Sequence, residues 1–186
     1  MLKFYSNREL SERLNIPLSR WKRWSREFLP PDPLGGLQSG YARQYNIRDA
    51  FRVYLAGYLV SGVGLSIPEA RKVLEDMNGW LRQHVIEPGS KATQEMQRQG
   101  EDSPWIELII LPIRTHRPPA FTYRIRSIVE RKALETEHHK QLWQETFAEQ
   151  IIKPADPAST GCYPACPRRV ALSHVAQHFF RRLSLE

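Results

Sequence analysis

The sequence contains only two cysteines and no long apolar run, and each of these absences excludes a class of protein. Two thiols cannot build the disulfide framework of a small secreted domain, so a reducing compartment is expected. No stretch approaches the roughly 18 apolar residues that a membrane span needs, and the first residues lack the apolar core of a secretory signal. We therefore predict a cytoplasmic protein without a membrane partner.

The motifs of common catalytic sites are missing as well. The sequence has no glycine-rich phosphate loop, no nucleophile elbow and no His-Glu-x-x-His pair. Its carboxylates are scattered without an evident acid–base pairing. The sequence therefore predicts a protein that is not an enzyme, with no catalytic residues and no cofactor.

Positive charge, in contrast, is abundant and concentrated near the N-terminus. The 186 residues carry a net charge of +7, and residues 1–54 hold 10 Lys/Arg against 5 Asp/Glu. A short segment with such an excess is typical of proteins that bind a phosphate backbone, although a solvated basic surface would have the same composition.

Clusters of proline and glycine divide the chain into segments that differ in amino-acid composition. Residues 87–104 are polar and poor in large apolar side chains, which indicates a linker, and residues 153–161 form a further break. The resulting expectation is a domain over residues 1–82, the linker 83–104, a second unit over 105–153, and a weakly ordered tail over 154–186.

Two short helices joined by a tight turn are predicted at the start of the chain. Ser6 or Asn7 can cap the first helix, in which Leu10 and Leu14 lie four residues apart on one face. Asn15 then tolerates the left-handed backbone that such a turn needs. Together with the helix that follows, this spacing indicates a helix-turn-helix.

The second of these helices is amphipathic. It starts well at Pro17, and Trp21, Trp24 and Phe28 fall at i, i+3 and i+7, which predicts one buried stripe. The remaining positions are polar or basic and are expected to face outward: Ser19, Arg20, Lys22, Arg23 and Arg26.

Signals of a small winged domain follow. The aromatic alternation of residues 38–45 favours a hairpin, and a helix is predicted to begin at Asn46, with Asp49 in its first turn. A capping box at Ser66 and Glu69, with Pro68 just inside the helix, starts a further one.

This ordered series resembles the N-terminal DNA-binding domain of the MerR family over about residues 4–77. The family's first-helix pattern is matched by residues 5–11, its basic-aromatic run by 21–24, its wing by 40–45 with one extra residue, and its Gly-hydrophobic-Ser turn by 64–69. Lys22 stands where the family usually has arginine, which keeps the charge but loses the planar fork.

The resemblance implies a transcriptional regulator that binds double-stranded DNA, with a recognition helix over about residues 17–28 in the major groove. Lys22 and Arg43 match positions that grip the DNA backbone, and Tyr45 either approaches a phosphate or packs under the wing. A single small domain seldom binds specifically enough, so a homodimer on a two-fold site is expected. Two alternatives are an excisionase-like architectural factor and an interaction or sensor module without DNA affinity. The full set of predicted DNA contacts is Ser19, Arg20, Lys22, Arg23, Arg26, Arg43 and Tyr45.

The second half of the chain predicts a small α+β unit. Residues 105–113 form an apolar, β-rich run, and residues 121–129 alternate with period two, so two paired strands are expected. Residues 130–152 show helical spacing and predict a helix that follows the hairpin. The fold class is therefore α+β, with a MerR-like winged helix-turn-helix followed by a hairpin and a C-terminal helix.

One cluster near the C-terminus has metal-binding residue types. Cys162, Cys166, His174 and His178 could supply a tetrahedral zinc site, but the spacing from Cys166 to His174 is shorter than that of the usual finger. We expect no bound metal, and we expect the tail to be dispensable for DNA binding.

Overall fold

The computed structural model of the protein describes residues 4–32, 43–86, 105–113, 120–134, 142–152 and 166–184. The chain divides into two compact units. The first unit contains Met1–Gln99 together with Val175–Glu186, and the second contains Gly100–His174. The predicted α+β class is confirmed, while the domain boundaries expected at residues 82, 104 and 153 stay predictions.

The described part of the first unit is mostly helical, with one two-stranded ladder. Strand β1 pairs antiparallel with β2, so that Tyr5 lies opposite Tyr45. The residues of the wing before Arg43 lie outside the described residues. The elements are β1 (Tyr5–Ser6), α1 (Asn7–Leu14), α2 (Leu18–Phe28), β2 (Gln44–Tyr45), α3 (Ile47–Ser61), α4 (Ile67–Asp76), α5 (Asn78–Leu81) and a π-helical turn (Arg82–Ile86).

The predicted start and stop signals lie where they were expected. Ser6 caps α1 in a reciprocal box with Glu9, and Ser66 does the same for α4 with Glu69. Asn15 ends α1 with φ of 54°, which lets α2 begin after a very short turn. These caps satisfy backbone groups that a helix end leaves without intrahelical partners, and they fix the angle at which α1 meets α2.

The core of the first unit forms where α2 packs on α3. Trp21 is fully buried and Trp24 is 8% exposed, as the predicted stripe requires. Gly57 faces Trp24 so closely that a Cβ atom at this position would overlap the indole ring. Glycine is therefore the residue that lets the two helices approach at this point.

The C-terminal residues differ from the predicted weakly ordered tail. That expectation is wrong for residues 168–184, which form strand β6 (Arg168–Ala171) and helix α6 (Leu172–Ser184). From Val175 onward, α6 belongs to the first unit. The physical reason is an apolar stripe at helical spacing that is buried in the structure: Leu172, Val175, Ala176, Phe179, Phe180 and Leu183.

Helix α6 packs directly on α3. The ring of Phe179 meets that of Phe51 edge to face at 5.2 Å, and Phe180 stacks on Phe51 at 6.0 Å. The Tyr54 hydroxyl lies 2.7 Å from Nδ1 of His178. Burial, followed by the nearby charge of Arg182, lowers the pKa of His178 below its usual value. A neutral His178 can accept the proton of Tyr54, so this contact adds a hydrogen bond to the apolar packing.

The second unit is a sheet of four antiparallel strands in the order β5-β4-β3-β6. Its strands are β3 (Ile106–Ile113), β4 (Ala120–Leu134), β5 (Leu142–Ile152) and β6. The register places Leu108, Tyr123, Ile125 and Val170 on one face, where all four are buried. Two additional strands extend the predicted hairpin, which alone would be marginal in water.

The helix expected over residues 130–152 is wrong. Strand β4 continues to Leu134, and residues 142–152 form β5, paired with β4 along its length. The helix was predicted because apolar residues recur every four positions, at 143, 147 and 151. Residues four apart also lie on the same face of a strand, where the side-chain period is two, so the spacing fits both structures. Tertiary pairing with β4 decides between the two structures.

Candidate nucleic-acid interface

One long face of α2 is covered by exposed polar and basic side chains. The structure exposes all five of the α2 residues predicted to bind DNA, namely Ser19, Arg20, Lys22, Arg23 and Arg26. None of the four cations forms a salt bridge with another described residue. Within about two turns of helix, the face therefore presents four cations that are not ion-paired with any residue in the described part of the chain.

The opposite face of the same helix is anchored in the core. Trp21, Trp24, Ser25 and Phe28 are all buried, so α2 cannot rotate about its axis without exposing an aromatic side chain. The side chains on the free face thus project from a rigid support, which is what reading of base edges requires.

A wide groove runs beside this face, bordered by the start of α1, by α2 and by β2. Its volume is about 1060 Å³. The cations Arg8, Lys22, Arg26 and Arg43 line it, against the single carboxylate of Asp32. Such a cationic concavity favours an anionic partner and attracts it over a distance of about a Debye length.

A buried hydrogen-bond chain lies under the groove and joins its three walls. The Tyr45 hydroxyl donates to Oδ1 of Asn7 at 2.6 Å and lies 2.7 Å from the Ser25 hydroxyl. A phenol has one proton, so Ser25 is the donor in the second bond. The chain links β2, α1 and α2, and the ring of Tyr45 also meets Trp21 edge to face at 5.8 Å.

Tyr45 has the environment of a supporting residue. It is 1% exposed, and burial raises the pKa of its hydroxyl, an effect partly offset by the bond from Ser25 and the charge of Arg43. The hydroxyl therefore stays protonated and keeps donating at physiological pH. Of the two roles considered for Tyr45, packing under the wing is the one that its burial favours.

Arg43 lines the groove directly before β2. Its guanidinium is 5.6 Å from the centre of the Tyr45 ring, within the range of a cation–π contact. The contact places the charged end of the side chain against this ring, and the residue stays partly exposed. The structure thus brings Arg43 to the same groove as Lys22, which is the pairing expected of two backbone-gripping residues.

Comparison with protein families finds one match. The sequence model described as "MerR HTH family regulatory protein" matches residues 5–77. Residues 5–77 form a MerR-like helix-turn-helix domain. A domain of this family supports a DNA-binding transcription regulator. Searches of curated proteins and of solved structures found no match to the chain.

The match begins at Tyr5 and ends at Met77, so it includes β1 to α4 and the residue that follows. It therefore contains the exposed face of α2, the groove and the Tyr45 chain. Helix α6 lies outside the matched residues, yet it completes the core of the MerR-like domain by packing on α3.

The predicted cysteine–histidine set is not assembled in the described part of the chain. Cys162 lies outside the described residues, Cys166 is an exposed free thiol, and His178 is bonded to Tyr54. No group of three potential metal ligands occurs among the residues that the structure describes. None of the helices in the described part of the chain has the length and apolar character that a membrane span requires.

Sequence analysis missed the residues that support the site from below. Ser25 was not among the predicted residues and Asn7 was named only as a possible helix cap, although together they hold Tyr45. Ser25 carries a detectable signal, because it is a hydroxyl inside the otherwise apolar stripe of α2 and therefore needs an internal partner. Asn7 carries none, since either Ser6 or Asn7 suits the start of α1 equally well.

We expect Tyr45→Phe to lower the stability of the MerR-like domain by about 1–3 kcal/mol, because Ser25 is left buried with one fewer partner. DNA affinity should fall only in proportion to the loss of folded protein. The slope of log affinity against log salt concentration should not change. Urea unfolding and salt titrations of DNA binding check this. A shallower salt slope in a fully folded variant would instead make the hydroxyl a phosphate contact.

Proposed function

We propose that the protein is a cytoplasmic, sequence-specific transcriptional regulator that binds double-stranded DNA as a homodimer, with α2 in the major groove. The exposed face of α2 within a MerR-like domain carries this proposal. Four cations and Ser19 stand on the one side of the helix that is not buried, and their side chains are long enough to reach guanine edges or phosphates.

We assign the DNA contacts to two groups by chemistry. Arg20 and Arg23 are exposed on the free face and do not line the groove, and they are proposed to read bases. Lys22, Arg26 and Arg43 line the groove and are proposed to hold the backbone, because contacts of cations with phosphate oxygens fix position without reading sequence. Tyr45 supports the groove from beneath it.

Two copies of the domain are needed for a site of useful affinity. One recognition helix reads only a few base pairs. Because a genome contains a large excess of competing non-specific sites, a regulator must read a longer sequence to occupy its own site. A two-fold related pair of α2 helices would contact half-sites about one helical turn apart. The proposed homodimer therefore predicts that selected DNA sequences are palindromic.

Selection from a random pool of duplex DNA tests the whole proposal. The expected result is an inverted repeat whose binding weakens steeply as salt is raised, because each phosphate contact releases counterions. Binding without any sequence preference would favour an architectural role. Absence of binding at low salt would favour an interaction or sensor module.

Arg20→Ala and Arg23→Ala are each expected to weaken binding to the selected site by about 1–3 kcal/mol and to relax preference at one base pair. Thermal stability should not change, since both side chains are exposed. Arg124→Ala is the control, because it removes an exposed arginine from the second unit. Equal affinities for all four proteins would show that this face of α2 does not read the site.

A further inference from the structure

A second cavity lies between the start of α3 and the α4–α5 region, apart from the groove beside α2. Its volume is about 180 Å³. Three arginines border it, Arg48 and Arg52 from α3 and Arg82 from the π-helical turn, and Asn78 of α5 adds an amide. Three arginines against the one carboxylate of Asp49 give the described rim of this cavity a net positive charge, which favours an anionic ligand.

Most of this positive charge is not neutralised by the protein. Arg48 and Arg82 are exposed, and their side chains form no hydrogen bond or salt bridge with other described residues. Arg52 donates a hydrogen bond from Nε to the Phe28 carbonyl and another from Nη1 to Oδ1 of Asn78. Its second terminal nitrogen, Nη2, remains available for a ligand. Among the described residues that line the cavity, Asp49 supplies the only carboxylate, and its Oδ2 accepts a hydrogen bond from the neutral Asn46 amide.

The inner wall of the cavity is apolar. Phe51, Leu55, Leu74 and Leu81 line it, and all four are buried. Inorganic anions are strongly hydrated, so contact with an apolar wall does not stabilise them. A ligand with a hydrocarbon part would be stabilised, because that part would be buried against the wall. The combination of arginine rim and apolar wall thus fits an amphiphilic anion.

The volume limits the size of that anion. Binding sites for drug-sized molecules measure about 300–1,000 Å³, and a cavity of 180 Å³ holds the equivalent of about six waters. A single ring or a short aliphatic chain fills this space. Among the anionic groups that such an apolar body could carry, a carboxylate fits arginine best. The guanidinium fork can bind both carboxylate oxygens at once.

From this geometry we infer that the cavity is a binding site for a small carboxylate with an apolar body, held by Arg48, Arg52 and Arg82. The carboxylate lies among the three guanidinium groups, and the hydrocarbon part contacts Phe51 and Leu74. The site is separate from the proposed DNA interface and binds its ligand in the absence of DNA.

Calorimetric titration of the full-length protein with sodium benzoate tests the site, with benzamide as the neutral analogue. We expect saturable binding of one benzoate per chain and at least about tenfold weaker binding of benzamide. Arg48→Gln and Arg82→Gln should each lower benzoate affinity by about tenfold, the loss typical of one charged hydrogen bond. Both residues are exposed, so unchanged melting temperatures are expected to show that the variants fold.

Arg71→Gln is the matched control, because Arg71 is an exposed arginine of the same unit that pairs with Glu27 away from the cavity. It should leave benzoate affinity unchanged. The inference is overturned if benzoate does not bind saturably, if benzamide binds equally well, or if all three variants lose affinity alike. It is also overturned if Arg48→Gln and Arg82→Gln weaken DNA binding while benzoate binding is unaltered, since the arginines would then contact phosphate.

Discussion

Phe179→Ala is expected to destabilise the MerR-like domain by about 3–5 kcal/mol, although residue 179 lies far outside the family match. Its side chain is fully buried and meets both Phe51 and Tyr54 of α3. Removing the ring leaves a cavity in the core beneath α3, and so DNA binding should be lost together with folding. Urea unfolding monitored by tryptophan fluorescence measures the effect, because Trp21 and Trp24 report on this domain.

Arg181→Ala is the control for this prediction, since it changes an exposed residue of the same helix. It should shift the free energy of unfolding by no more than about 0.5 kcal/mol. Truncation before residue 172 should act in the same direction as Phe179→Ala and more strongly. A truncated protein with the melting temperature of the full chain would show that α6 does not contribute to the core.

The second large effect is expected at Trp24. Trp24→Ala should cost about 3–5 kcal/mol, because the indole is buried between α2 and α3. Loss of DNA binding should follow the unfolded fraction. A Trp24→Ala protein that keeps its melting temperature yet no longer binds DNA would make Trp24 a contact residue instead.

Substitution of Gly57 tests the contact between α2 and α3 directly. Gly57→Ala alone should destabilise the domain, because the added methyl group collides with the rigid indole of Trp24. In the Trp24→Ala background the same change should be stabilising, since space is then free and alanine is favoured over glycine in a helix by about 1 kcal/mol. Unfolding free energies of the four proteins measure this reversal. Equal effects of Gly57→Ala in both backgrounds would exclude the close approach.

How far the sequence predicts the structure depends on whether the signal is local. The caps at Ser6 and Ser66, the turn at Asn15 and the tryptophan stripe of α2 are set within a few residues, and all four were predicted correctly. The exposed face of α2 follows from that stripe by elimination. Because these signals are local and agree with one another, the amino-acid sequence alone predicts the exposed face of α2.

Features that depend on distant partners were not predicted. The strand β5 contains several good helix formers, and only its ladder with β4 makes it extended. Helix α6 is amphipathic, but nothing near Phe179 indicates that its apolar stripe packs on Phe51. The cavity with Arg48 and Arg82 likewise joins segments that are separated in sequence. Such contacts leave no periodic signal in either segment alone.

The packing of α6 on α3 also determines when the protein can finish folding during its synthesis. Tyr54 and His178 are 124 positions apart, and a ribosome adds roughly 5–20 residues per second. For on the order of ten seconds, the newly made N-terminal segment therefore exposes the apolar side of α3, with Phe51 uncovered. Nascent chains of this protein should accordingly remain bound by chaperones until α6 leaves the exit tunnel, and a stalled chain that ends before residue 172 should stay sensitive to protease.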